Sequence, residues 1–208
     1  MSKTLVWGGG SCLKLLMPYL WALGRRPDFV FSDNLNEITS ATSFTRSNRP
    51  DIYDAASQCD AYVISIGDSH GKRRNELSNF FRYEYGLKPL TLIHPTAFIC
   101  STAQIQDPVF IMPRVVINSY ASIGCDSIIN TNAIVEHETL IGQGVHIMGS
   151  AVITGRCTIE SFATIGTNAT VLPDLTVGED AFVGAGAVVT QNVEAGNVVV
   201  GIPAKPRS

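Results

Sequence analysis

The sequence predicts an α/β chain in two parts, a small βαβ half-Rossmann unit followed by a solenoid of short stacked strands. Two observations predict this. From Ile93 to Val189 every sixth residue is isoleucine or valine, seventeen times in succession without a slip. Before that stretch, an apolar segment, Thr4 to Trp7, runs into Gly8, Gly9 and Gly10 and then into an apolar-periodic helix opened by Ser11. A period of six fits neither a helix nor simple strand alternation, so the repeat must be a coil whose turn holds a whole number of hexads. Four places after each aliphatic sits a second inward residue, usually small, such as Ala97, Ala103, Ala121, Ala151, Cys157 or Ala187.

The large β-branched residue suits a half-buried pleated face, and the small one is expected to let the chain turn a corner without crowding the axis. Coils would then stack at about 4.8 Å. The unbroken register excludes a long loop inserted between coils. This pattern resembles the left-handed parallel β-helix of the hexapeptide-repeat acyltransferases. The resemblance implies three hexads, or 18 residues, per triangular coil and so a little under six coils. The domain boundary is expected at 92/93, with a βαβ domain over 1–92 and a left-handed β-helix domain with its C-terminal tail over 93–208.

Length and composition bound the function. At 208 residues the chain can bury a sizeable core without staples. A net charge of -3 and a pI near 5.8 give no nucleic-acid footprint. Lys72, Arg73 and Arg74 form the one tight basic cluster, either a solvated helix start or a phosphate contact. Five cysteines without a CxxC pair suggest reduced, packed thiols. No run is apolar enough to cross a bilayer and no signal peptide is present, so a cytoplasmic location is expected.

In chain order, the first helix should run to about Leu23 and close at Gly24. Phe29 to Phe31 reads as the second strand, with Asp33 just past its end, where an acid can bond a ribose hydroxyl. A further strand, Ala61 to Ile66, runs into Gly67, Asp68 and Ser69, and a helix follows from about Lys72 to Tyr85. The dinucleotide fingerprint wants a third glycine where Leu13 stands. A tight turn at a helix N-terminus still suits a phosphate, so a mononucleotide fits better than a dinucleotide.

Three of the four histidines fall in the repeat. His94, in Ile93-His94-Pro95, reads as a structural corner residue. His137 is bracketed by Glu136 and Glu138, and an adjacent carboxylate fixes a tautomer and raises basicity. His146, half a coil later, should face another side of the prism, so a site using both rings would lie between subunits. Gly155 follows His137 by one coil and should lie directly above it, leaving a backbone N–H open to a ligand. Together these offer a base and an oxyanion donor for acyl transfer. Cys157 and Cys125 read as inward small residues and are discounted as nucleophiles.

The order of parts, with Asn130 to Glu138, His146, Leu172-Pro173, Gly184 to Gly186 and Gly201 to Lys205, resembles the nucleotide-amino-sugar N-acetyltransferases of the hexapeptide-repeat family, typified by the bacillosamine-pathway enzyme. The resemblance implies a cytoplasmic homotrimer in polysaccharide biosynthesis, with active sites between subunits. It makes His137 the general base, with Glu136 and Asn130 orienting it and the acceptor. Acetyl-CoA would be the co-substrate, held by His146, Gly155, Gly184, Pro203 and Lys205, with no metal. The partner would be a nucleotide-linked amino sugar, held by Gly8, Gly10, Ser11, Asp33, Gly67 and Asp68. The chain departs from the family pattern at Cys12 and Leu13, and at His70-Gly71-Lys72. The expected chemistry is direct attack of the sugar amine on the thioester without an acyl-enzyme. Rival readings are a sugar O-acetyltransferase of the sialic-acid type and a zinc hydro-lyase, the latter needing three converging rings.

Overall fold

The computed structural model describes residues 3–31, 43–44 and 52–207. The chain divides into two compact units, one of Met1–Gly67 with Arg73–Leu92, the other of Asp68–Lys72 with Ile93–Ser208.

In the first unit, β1 (Thr4–Trp7), α1 (Ser11–Ala22), β2 (Pro27–Phe31), β3 (Ser43–Phe44), α2 (Ile52–Ser57), β4 (Ala61–Ile64), α3 (Gly71–Tyr85, from Arg73 onward) and β5 (Lys88–Pro89) follow in order. The strands form one parallel sheet in the order β3-β2-β1-β4-β5, the doubly wound arrangement. Gly24 closes α1 as expected, with φ +67°. Its N–H bonds Trp21 O at 2.9 Å while Arg25 N–H reaches Leu20 O at 2.8 Å, a Schellman pair that satisfies orphan carbonyls. Leu5, Phe31, Tyr62, Ile64, Leu77 and Phe81 make the core. The fully buried Tyr62 places its hydroxyl 2.8 Å from Ser78 Oγ, so its burial leaves no polar atom stranded. Sequence reading missed α2 and β3, whose six and two residues are too short to show a period.

The second unit is a left-handed parallel β-helix. Residues 18 apart pair coil to coil, as Ile117 with Val135, Val135 with Ile153, and Ile153 with Val171. Three flat sheets of such pairs form the faces. From Ile117 to Val171 this column is wholly buried, each aliphatic contributing about 1.5–3 kcal/mol of burial. Ile93 departs from the expectation and is 44 % exposed. It belongs to the first coil, which has no coil beneath it.

The corners also differ from the sequence reading. Small residues at the fourth place pack inside, but it is the third-place residue that turns the chain. Arg114, Tyr120, Asp126, Asn132, Glu138, Ser150, Arg156, Phe162, Asn168 and Asp174 all take φ near +60°. A left-handed conformation costs an L-residue about 1–2 kcal/mol, which the aliphatic ladder offsets at every turn.

Candidate active site

His137 sits on a corner of the second unit, just after the strand Ile134–Val135, and its side chain is about half exposed. Its Nδ1 lies 3.1 Å from Glu138 Oε2. A carboxylate can only accept, so Nδ1 carries the proton and the Nε2 lone pair is left free to take one. Gly155 is one coil above, as the spacing predicts. A Cβ there would meet both Cε1 and Nε2 of the ring at 2.6 Å, so any side chain would displace the imidazole. Among the described residues the Gly155 N–H meets no hydrogen-bond acceptor, and its carbonyl accepts from Asp174 N–H at 3.2 Å.

The carboxylate that orients the ring is therefore Glu138, where sequence reasoning assigned Glu136. Glu136 accepts instead from Asn118 Nδ2, one coil below, at 2.9 Å, and reaches the backbone N–H of His137 at 3.4 Å. The two acids look alike in sequence. What separates them is that Glu138 occupies the left-handed corner position and Glu136 does not.

Asn130 lies beside His146. Its Oδ1 accepts from Thr131 N–H at 2.7 Å, which turns its amide NH₂ toward His146 Nε2 at 3.4 Å. The other ring nitrogen faces Asp68 O at 3.1 Å and must donate to it. His146 is thus a neutral tautomer with both nitrogens engaged, only 6 % exposed. A ring held this way has no nitrogen left for a thioester within one chain. Its surroundings suit it to hold the Asp68–Lys72 segment, where Asp68 takes φ +54° and Gly71 packs directly on Gly144. Lys72 of the same segment pairs with Asp180 at 2.9 Å and lies 5.7 Å from the Phe162 ring centroid.

The basic cluster accordingly splits three ways. Lys72 grips the coil, Arg73 pairs with Glu76 at 3.1 Å in solvent, and Arg74 is buried in the first unit with its guanidinium on Ile66 O at 3.2 Å.

In the first unit Gly8 takes φ +105° and approaches Ser65 so closely that a Cβ would stand 2.6 Å from its carbonyl. Its N–H bonds Phe31 O at 2.7 Å and is not available to a phosphate. Gly10 is the N-cap of α1 and makes no side-chain cap bond, so among the described residues the N–H groups of the first turn, from Ser11 onward, have no side-chain acceptor from the cap. Gly67 comes within 4.0 Å of Cys12 Cβ when given a Cβ. Burial pushes the Cys12 thiol up to about 11, the nearby Arg74 charge opposing it. Asp33 lies outside the described residues.

Near the C-terminus, Gly184 packs against Val200, where a Cβ would meet Cγ1 at 2.7 Å. Pro203 and Lys205 lie on the exposed tail, tied down through Ala204 N–H to Val188 O at 2.8 Å. Cys157 points inward as expected, whereas Cys125 sits half-buried at a turn beside Gln143, not at an inward place. Among the described residues no three His, Cys, Asp or Glu side chains converge as a metal site would require, and no helix is long and apolar enough to cross a membrane.

Residues 156–191 match the bacterial transferase hexapeptide (six repeats) family model. The whole chain is similar to several solved structures. PerB from Caulobacter crescentus, in complex with CoA and GDP-perosamine, shares 25 % identity at a TM-score of 0.86, over 100 % of this chain and 98 % of that one. The acetyltransferase domain of PglB from Neisseria gonorrhoeae, with acetyl coenzyme A, shares 25 % identity at 0.83, over 99 % and 98 %. WeeI from Acinetobacter baumannii shares 25 % at 0.83, over 100 % of both chains.

Proposed function

We propose that this chain is an acetyl-CoA-dependent N-acetyltransferase acting on the amino group of a nucleotide-linked amino sugar. The observation that carries the reading is the imidazole of His137, its Nδ1 on Glu138 and its Nε2 lying against the bare Gly155. Likeness over the full length to proteins solved with CoA, GDP-perosamine or acetyl-CoA supplies the substrate classes.

The sugar amine attacks the thioester carbonyl while His137 Nε2 takes its proton. Glu138 stabilises the imidazolium that forms, and the Gly155 N–H faces the developing oxyanion. Collapse of the tetrahedral species expels the CoA thiolate, which leaves as the thiol after receiving the proton. A placed base contributes about 10² to 10⁴ in rate and an oxyanion donor about 10² to 10³. No acyl-enzyme is required. Asn118 supports the corner from below through Glu136, and Asn130 acts through His146. The nucleotide sugar is held by Gly10, Ser11, Gly67, Asp68 and Asp33, with Gly8 shaping the turn. Gly184, Pro203 and Lys205 serve acetyl-CoA.

The active assembly is a cytoplasmic homotrimer in polysaccharide biosynthesis. One sheet supports this assembly by its outward column, Phe98, Val116, Ile134, Val152, Thr170 and Val188, of which Phe98 is 57 % exposed. The sheet that presents Gln104, Ser122, Leu140, Thr158 and Thr176 is more polar, with Leu140 as its one apolar outward residue. An apolar face of this kind marks a protein interface, and three copies related by a threefold axis would cover it.

CoA release from acetyl-CoA, followed against a panel of UDP-, GDP- and dTDP-linked amino sugars with GDP-perosamine among them, tests the reading. Turnover with at least one supports it; turnover only with hydroxyl acceptors moves the assignment to O-acetylation, and none with any acceptor removes it.

A further inference from the structure

Glu138, Arg156 and Asp174 stand 18 residues apart and occupy the same corner of three successive coils, each with φ near +60°. Stacked coils are about 4.8 Å apart, so Arg156 has a carboxylate one coil below and another one coil above. It gives its fork wholly to the upper one, Nε to Asp174 Oδ1 at 2.6 Å and Nη2 to Oδ2 at 2.8 Å. The lower one, Glu138, is left to His137 Nδ1 at 3.1 Å. Two-point pairing suits a planar guanidinium far better than a shared contact does.

We propose that Asp174 is a positioning residue for the reaction: by holding the Arg156 guanidinium it keeps that cation off Glu138 and leaves the carboxylate free to orient His137. The inference rests on the reading of His137 as the base. Both ions of the upper pair are largely in solvent, where such pairs add little stability, so where the arginine points matters more than how strongly it is held. Hydrogen bonding to Arg156 holds the Asp174 carboxyl below its usual range, with the Arg156 charge and nearby His137 adding to it. Asp174 likewise raises Arg156, with Glu138 contributing from below. Among the described residues, the charged groups that these contacts place around His137 are Glu136, Glu138, Arg156 and Asp174.

The test is a mutant cycle in the full-length chain, read as acetyl-CoA consumption with an acceptor that the wild type uses. D174N should lower kcat about tenfold, a part of what a placed base contributes, with KM for acetyl-CoA within twofold. R156Q alone should stay near wild type, and D174N/R156Q should regain most of the lost rate, because the cation that captures Glu138 is gone. In an E138Q background D174N should change nothing further. A double variant as slow as D174N, a slow R156Q, or D174N slowing E138Q by the same factor as wild type would each overturn the proposal. The His137 imidazole NMR resonances of the free protein read the same cycle without an acceptor: loss of the Nδ1 hydrogen bond in D174N and its return in the double variant are expected, and no change in D174N contradicts the proposal. A protein that turns over no acceptor thus sinks the functional reading while the resonances still judge Asp174.

Discussion

A Cβ built on Gly155 would stand 2.6 Å from both Cε1 and Nε2 of His137, one coil below. The ring occupies the place of the missing side chain, and its orientation depends on that vacancy as much as on Glu138.

Gly155→Ala should therefore push the imidazole aside while leaving the coil folded, since no positive φ obliges glycine there. Misplacing a catalytic group by about 1 Å can cost about 10²-fold. Turnover is expected to fall by about 10- to 100-fold with a thermal midpoint within a few degrees of wild type. Parallel CoA-release assays and melting curves check this, and a full-rate variant contradicts it.

The interior of the coil makes a second prediction. Ala151 is wholly buried at an inward place between Ala133 and Ala169. Ala151→Leu should destabilise the chain by about 1–3 kcal/mol through overpacking. Ile153→Ala, which empties the aliphatic column, should cost about 2–5 kcal/mol. Denaturant unfolding of both variants measures the pair, and a loss under 0.5 kcal/mol in Ile153→Ala would argue against a continuous ladder.

The cysteines should differ in reactivity. Hydrogen bonds from Ser119 and Thr102 bring the Cys100 thiol down to about 7. Burial holds Cys12 near about 11, and burial with nearby Asp28 lifts Cys59 to about 12. Only the thiolate reacts, so iodoacetamide should label Cys100 first, at a rate that rises through pH 7 and then levels. Labelling of Cys12 and Cys59 should still be climbing at pH 9. Peptide mass spectrometry over a pH series reads this directly, and Cys12 or Cys59 modified ahead of Cys100 would contradict it.

Much of this was legible in the residues because the hexad is strict. Seventeen aliphatics six apart fix the strand period, and a coil of 18 then puts Gly155 over His137. Spacing along the chain does not say which way a corner side chain turns. Glu136 and Glu138 flank the same histidine, and only the left-handed φ of Glu138 brings its carboxylate to Nδ1. Asn130 and His146 look in sequence like neighbours of the chemistry, yet Asn130 bonds His146, whose other ring nitrogen bonds the Asp68 carbonyl. That contact spans 78 residues and leaves no periodic trace. The buried Arg74 was hidden for a similar reason, since a basic triplet at a helix start looks solvated until its carbonyl partner at Ile66 is known.

The most direct test of the account is the initial rate of CoA release by His137→Asn, an amide of similar shape that cannot act as a base, beside wild type with the same nucleotide-linked amino sugar and with the assembly state of both checked by light scattering. The account predicts a loss of at least about tenfold with an unchanged assembly. A variant that works at the wild-type rate would contradict it.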